Sequence, residues 1–265
     1  MNFNLDFTLT KYNQFIQTLK ECGYFFLTFE QYCSDKPNLA EKRYAILRHD
    51  VDLRASHSLV TAKMEHKLEI DASYYFRVVP QSNVPEIIKA IADMGHEIGY
   101  HYEDMTLCEG DTEKAIEHFK QQLNYFRRFY PVKTICMHGS PRSRFDGRDL
   151  WKHYDYHDFG IAGEPYFDVD FSKVFYLTDT GRCWDGFNVS VRDKIPVYQD
   201  EWLAKGLVYH STDDIIAAAD AGNLPMQMMI TTHPQRWTDK KVDWLIELVS
   251  QSAKNVVKKI MVRKG

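Results

Sequence analysis

Tyr44-Ala-Ile-Leu-Arg-His-Asp-Val-Asp52 is an apolar run that breaks off abruptly in charged residues, and Ser56 to His66 behind it has the spacing of a helix. A run of that length with so sharp an end reads as a buried strand whose last residues reach the rim of a sheet. The same rhythm continues outward. Ala72 to Val79 is a strand, Pro85 to Met94 a helix, Gly95 to His101 a strand, Glu113 to Phe129 an amphipathic helix and Thr134 to His138 a strand. Upstream, a helix from Thr10 to Cys22 stops at Gly23, ahead of a short aromatic strand, Tyr24 to Phe29. Helix Thr212 to Ala221, strand Met226 to Thr232 and helix Lys240 to Lys259 close the pattern.

Strands alternating with helices, joined by connections long enough for crossovers, call for an α/β fold with a parallel sheet, either a closed barrel or an open doubly wound sheet. Polar clusters at several different strand ends favour a distorted (β/α) barrel of about seven parallel strands. Residues 140–205 are looser, with short strand candidates at Phe159 to Ala162 and Val174 to Thr178, and are expected to form loops and hairpins over one mouth of the barrel. No repeat, low-complexity tract or linker interrupts the chain, so 1–265 is expected to be one domain.

The 265 residues are 44% hydrophobic, enough for a sizeable core. With 33 Lys+Arg against 37 Asp+Glu and no dense basic run before the last helix, a nucleic-acid partner is not expected. No apolar stretch is long enough to span a bilayer, and MNFNLDFTLT lacks the features of a signal peptide, so the expected compartment is the cytosol. Five widely spaced cysteines without a C-x-x-C pair argue against a disulfide framework and a zinc knuckle.

The chemistry gathers at strand ends. Asp50 and Asp52 lie two apart, so both project to one face, and two carboxylates so close need a cation nearby to ionise cheaply. One reading has one carboxylate bind a divalent metal and the other act as base; the other is an acidic turn in which Asp52 caps the following helix. In Gly95-His-Glu-Ile-Gly-Tyr-His101 the glycines permit close backbone approach, His101 is a candidate ligand, and Glu103 or Asp104 a candidate second. His96, entering the strand, is expected to satisfy backbone carbonyls. His138 and His233 also fall where strands end, and in a parallel barrel those ends share one mouth.

With these residues the chain resembles the polysaccharide deacetylases, the NodB-homology group of carbohydrate esterase family four. Asp50-Val51-Asp52 looks like that family's first motif, whose first Asp is the base and whose second binds the metal. Gly95 to His101 looks like the G-H-E-I-G-x-H run that opens its H-x-x-x-H metal motif, and His233 resembles its late general-acid histidine. The second His of that motif should fall at position 105, where this chain has Met105, a poor ligand for such an ion. The resemblance implies a seven-stranded barrel, one divalent ion, most simply zinc, held by Asp52, His101 and a third ligand, and removal of acyl groups from N-acylated sugars. His138 is the first choice for the third ligand, with Glu103 and Asp104 as alternatives.

On that reading Asp50 and His233 are the catalytic base and acid, and Arg142, Arg144, Trp184 and Asp185 are the substrate-binding candidates in the aromatic, charged middle region. A cytosolic enzyme would meet a nucleotide- or lipid-linked sugar intermediate of surface polysaccharide synthesis, whose phosphates Arg142, Arg144 or Arg182 would contact. Two rivals stand beside it: a metal-dependent amidase or deformylase acting on a non-sugar amide, and a catalytically dead sugar-binding homologue. Oligomeric state is not encoded in any of these patterns.

Overall fold

A computed structural model describes residues 5–140, 143–184, 190 and 193–262. The strands are β1 (Phe25–Leu27), β2 (Tyr44–Val51), β3 (Ser73–Phe76), β4 (Glu97–Tyr102), β5 (Ile135–Met137), β6 (Phe175–Thr178) and β7 (Gln227–Thr232). The main helices are α1 (Leu9–Glu21), α2 (Phe29–Asp35), α3 (Ala55–Lys67), α4 (Pro85–Asp93), α5 (Asp104–Leu107), α6 (Thr112–Phe126), α7 (Pro165–Asp168), α8 (Pro196–Ala204), α9 (Thr212–Asp220) and α10 (Lys241–Val262).

Every strand pair among these residues is parallel, in the order β5-β4-β3-β2-β7-β6, and the sheet curls into an incomplete barrel open between β5 and β6. One edge of β2 carries β7, and its other edge is shared by β1, opposite Tyr44 to Ile46, and β3, opposite Arg48 to Val51. All eight residues of β2 are buried, as expected of a strand covered on both faces.

The helices form for local reasons. Thr8 caps α1 by accepting from the Lys11 N–H, and the helix buries Tyr12, Phe15, Ile16 and Leu19 on one side. Asp111 caps α6 in the same way, and Ala115, Ile116, Phe119, Leu123 and Phe126 form its inward stripe. On the outer face of the sheet His49, His96, Tyr12 and Tyr74 converge on the buried Glu65 of α3. Nε2 of His49 lies 2.9 Å from its carboxylate, the hydroxyls of Tyr12 and Tyr74 donate to it, and Nε2 of His96 lies 3.0 Å from the Ala62 carbonyl. His96 is therefore a packing residue, bound to a backbone carbonyl.

The middle region departs from expectation. Phe159 closes a 3-10 turn, Tyr156–Phe159, and Gly160 follows at φ 70°, so Phe159 to Ala162 is no strand. Phe175–Thr178, within the other candidate, pairs in parallel with β7 and is a barrel strand, not half of a hairpin. Helices α2 and α8 were absent from the sequence pattern because α2 is short and α8 shows hardly any amphipathic periodicity.

Glu164, fully buried, accepts from the backbone N–H of Met137 at 3.1 Å and of Tyr166 at 2.6 Å, tying α7 to β5. Burial pushes its carboxyl from the ordinary 4.5 up to about 7, against the pull of those N–H groups. A carboxyl raised in the folded state favours the protonated fold. Its contribution is complete below the unfolded range and is lost as pH rises through about 7. Glu97 and Asp104, also raised by burial, act in the same direction. The unfolding free energy is expected to fall from about pH 4 to about pH 8, with roughly 3 kcal/mol of the change due to Glu164. Glu164→Gln should flatten that slope in urea titrations, and an unchanged slope would remove Glu164 as its source.

Candidate functional site

The strand ends open into a pocket of about 680 Å³ whose walls include Asp50, Asp52, His101, His138, Asp193 and His233. Period two along β2 turns Arg48 and Asp50 inward and His49 outward. On β4, Gly99 and His101 face the interior, and a Cβ at position 99 would run into the Tyr75 ring. Glycine is needed there for close packing with β3.

Asp52, His101 and His138 converge. Asp52 Oδ1 lies 3.6 Å from His101 Nε2 and 3.1 Å from His138 Nδ1, and the three donor atoms lie within 4.8 Å of one another. Nδ1 of His101 lies 2.9 Å from the Cys136 carbonyl; a proton donated there leaves the Nε2 lone pair aimed at the carboxylates. Asp52 Oδ1 is buried and has no well-aligned hydrogen-bond donor, although two imidazole nitrogens lie close. A cation satisfies an oxygen so placed, and one carboxylate with two neutral imidazoles is a donor set suited to zinc. Burial alone would raise the Asp52 carboxyl, but His138, His101 and His233 hold it well below the usual range. His101 is shifted up: burial works against it, and Asp50 and Asp52 outweigh burial.

Asp50, His101 and Cys136 form a second close group. It is the weaker donor set, because burial drives the Cys136 thiol well up, away from the thiolate a metal needs, and Asp50 is already engaged. Arg48 grips Asp50 with two hydrogen bonds, Nε to Oδ1 at 2.8 Å and Nη2 to Oδ2 at 2.6 Å. Asp50 Oδ2 stands 3.7 Å from His101 Nε2, beside the metal-ready group.

Across the mouth, His233 is held by Asp179 at the end of β6. Asp179 accepts from the His233 backbone N–H at 3.0 Å and lies 2.6 Å from its Nδ1, while Arg236 and Trp237 donate to the same carboxylate at 2.6 and 2.8 Å. Burial would raise Asp179, but the charges of Arg236 and His233 bring it below its ordinary value. With Nδ1 donating to Asp179, Nε2 of His233 faces the pocket, 3.8 Å from Asp52 Oδ2.

Several expected residues lie elsewhere. Glu103 is paired twice with Arg77, at 2.8 Å each, and reaches no closer than 3.9 Å to His138 Nε2. Asp104 is taken by His118 at 2.5 Å and by the Tyr100 hydroxyl, so neither acid is left for a metal. Met105 packs in the core. Helix α3 begins after Arg54, which has no capping side chain bond, so Asp52 does not cap it. Trp184 is a buried residue outside the lining of this pocket: it stacks against Phe7 and donates its indole N–H to Thr212 at 2.9 Å. Arg144 is exposed over the Phe145 ring, outside the pocket lining, and Arg182 lies over Trp244 and donates to its carbonyl. Arg142 and Asp185 fall outside the described residues.

Three contributors had been given no specific role. Arg48 shares a face with Asp50, a relation that period two already contains. Asp179 follows β6 as His138 follows β5, and counting β6 as a barrel strand would have exposed it. Asp193 accepts the hydroxyls of Tyr166, Tyr176, Thr178 and Thr180, and no strand signal marks it. Burial would raise its carboxyl, but Arg48, His233 and these hydroxyls hold it well below its usual range.

The mouth of this incomplete parallel barrel thus gathers an Asp and two His that could hold a metal ion, with a second Asp and a third His flanking them. Solved structures similar to this chain are family 4 carbohydrate esterases and deacetylases. The Streptococcus pyogenes deacetylase PplD, solved with acetate, is 18% identical with a TM-score of 0.41, over 48% of this chain and 60% of that one. A family 4 pseudoenzyme from Bacillus anthracis, in a mutant form with restored activity, is 12% identical with a TM-score of 0.46, over 83% and 64%. The Bacillus subtilis esterase PdaA is 12% identical with a TM-score of 0.40, over 91% and 84%. The chain thus spans 60% of PplD and 64% of the pseudoenzyme. No family model and no curated protein matches it. The activities are those proteins' own.

Proposed function

We propose that this protein is a metal-dependent hydrolase that removes an N-acyl group, in the first instance acetyl, from an amino sugar. The observation that carries this reading is Asp52 Oδ1, buried without a well-aligned donor between His101 Nε2 and His138 Nδ1. Asp52, His101 and His138 would hold the ion, with zinc the best fit to that donor set. A bound divalent ion supplies Lewis acidity and makes water a stronger acid at neutral pH.

Asp50 takes the proton from the attacking water as its oxygen adds to the acyl carbon. Arg48 fixes both of its oxygens in place through two hydrogen bonds. His233 delivers a proton from Nε2 to the nitrogen as the C–N bond breaks, releasing a carboxylate and a free amine. Asp179 fixes the tautomer that points Nε2 at the pocket. Residues 1–265 act as one catalytic unit on this reading, since strands from Phe25 to Thr232 belong to one sheet.

The finer substrate reading is an intracellular nucleotide- or lipid-linked N-acetyl sugar. Zinc-loaded protein is expected to release acetate from N-acetylglucosamine or its UDP-linked form, to lose that activity to a chelator and to regain it with zinc. Release from simple amides but not from sugars would favour the amidase alternative. Turnover indifferent to chelation would sink the metal-dependent mechanism.

A further inference from the structure

Gln235 lines the catalytic pocket yet is only 3% exposed, and it sits in the middle of the 3-10 turn Pro234–Arg236, directly after His233. Among the described residues its side-chain amide has one hydrogen-bond partner. Nε2 donates to Asp52 Oδ2 at 3.3 Å, while Oε1 is buried without a donor. The orientation is forced, because only the NH2 end of an amide can face a carboxylate. It is also costly, since the buried amide oxygen gives up its hydration and gains no hydrogen bond in exchange. An apolar side chain of the same shape would pack the turn at least as well. What the amide adds, and such a side chain could not, is its grip on Asp52.

The two oxygens of Asp52 face different neighbours. Oδ1 lies 3.6 Å from His101 Nε2 and 3.1 Å from His138 Nδ1, whereas Oδ2 faces Gln235 Nε2. The Asp52 backbone is fixed on both sides: its N–H donates to the Asp50 carbonyl at 3.1 Å, and its carbonyl accepts from Arg77 Nη1 at 3.2 Å. The freedom left to the residue is the rotation of its carboxylate, a soft terminal torsion. A donor on Oδ2 fixes that rotation and turns Oδ1 toward the two imidazoles. The turn that carries the donor is itself anchored, because Asp179 at the end of β6 accepts from the His233 backbone N–H and from the side chains of Arg236 and Trp237 on the far side of Gln235.

We propose that Gln235 is a positioning residue for the metal site, its Nε2–H holding Asp52 with Oδ1 presented to a cation between His101 and His138. This rests on the reading of Asp52, His101 and His138 as the ligands. Gln235 acts through Asp52, as the hydrogen-bond partners of ligating carboxylates do in metal sites generally.

The test is zinc affinity, measured by competition with a chromophoric chelator, alongside urea unfolding of the zinc-free protein. Gln235→Met keeps the length of the side chain and removes the donor. It is expected to bind zinc about tenfold to a hundredfold more weakly than the wild type, while the zinc-free variant unfolds at the same or a higher urea midpoint, because the orphaned oxygen leaves with the amide. Gln235→Leu, which also lacks the donor, is expected to repeat the result. Wild-type zinc affinity in these variants overturns the proposal, whatever their midpoints. Should affinity and midpoint fall together, a double-mutant cycle decides: Gln235→Met added to Asp52→Asn is expected to cost no further affinity, and an undiminished further loss would show that Gln235 does not act through Asp52. A wild-type chain that binds no zinc would instead remove the metal-dependent reading on which the proposal stands.

Discussion

Asp50→Asn is expected to lower acyl hydrolysis by about a hundredfold to ten-thousandfold, the range a positioned general base contributes, while leaving bound zinc unchanged. The separation follows from geometry. Asp50 lies outside the Asp52, His101, His138 donor set, and both of its oxygens are committed to Arg48. An amide in its place fills the same space and cannot take a proton from water. The substitution also deprives the Arg48 guanidinium, 1% exposed, of its counter-charge. Breaking a buried pair costs about 3–5 kcal/mol, and the retained amide oxygen, still able to accept from Nε, places the expected loss at the lower end. Turnover should therefore be expressed per mole of bound zinc in the folded fraction, with thermal unfolding measured alongside. Wild-type turnover on that basis would exclude Asp50 as the base.

Most of the barrel was legible because its strands are covered on both faces and read as apolar runs, with the chemistry exposed only where each run stops. Asp50, Asp52, His101, His138 and His233 were visible for that reason, each at or just past a strand end. What the sequence hid were relations between strands. Asp179 was lost because β6 is only four residues long and lies in a stretch without helical or alternating rhythm. Arg48, though part of the segment that carries the chemistry, was given no role because a buried arginine inside an apolar run looks like an interruption until its carboxylate partner is placed two residues on. Trp184 was misassigned because an aromatic side chain near sugar-binding residue types has the same composition whether it faces ligand or core. Burial and its indole hydrogen bond to Thr212 decide the matter.

His138→Ala is expected to weaken zinc binding by at least about a hundredfold, since loss of an outer-sphere partner alone costs tenfold to a hundredfold, and to abolish turnover at limiting zinc. Met105→Leu is expected to change neither. The pair of variants distinguishes two ways of completing the ligand set. In the family that the chain resembles, the third ligand would sit four residues after His101, on the turn leaving β4. Here that position belongs to a core methionine on α5. The neighbouring acids on that turn are bound to Arg77, His118 and Tyr100, so the segment has nothing to offer a cation. His138 comes instead from the end of β5, the strand hydrogen-bonded beside β4, where His101 pairs with Cys136. A third ligand taken from the next strand instead of the next turn would still lie within reach of Asp52 and would preserve the charge of the set, one carboxylate and two imidazoles. Zinc content measured after dialysis of the two variants decides the matter: metal retained by His138→Ala would exclude His138 as a ligand, and metal lost by Met105→Leu would return the third ligand to the turn after β4.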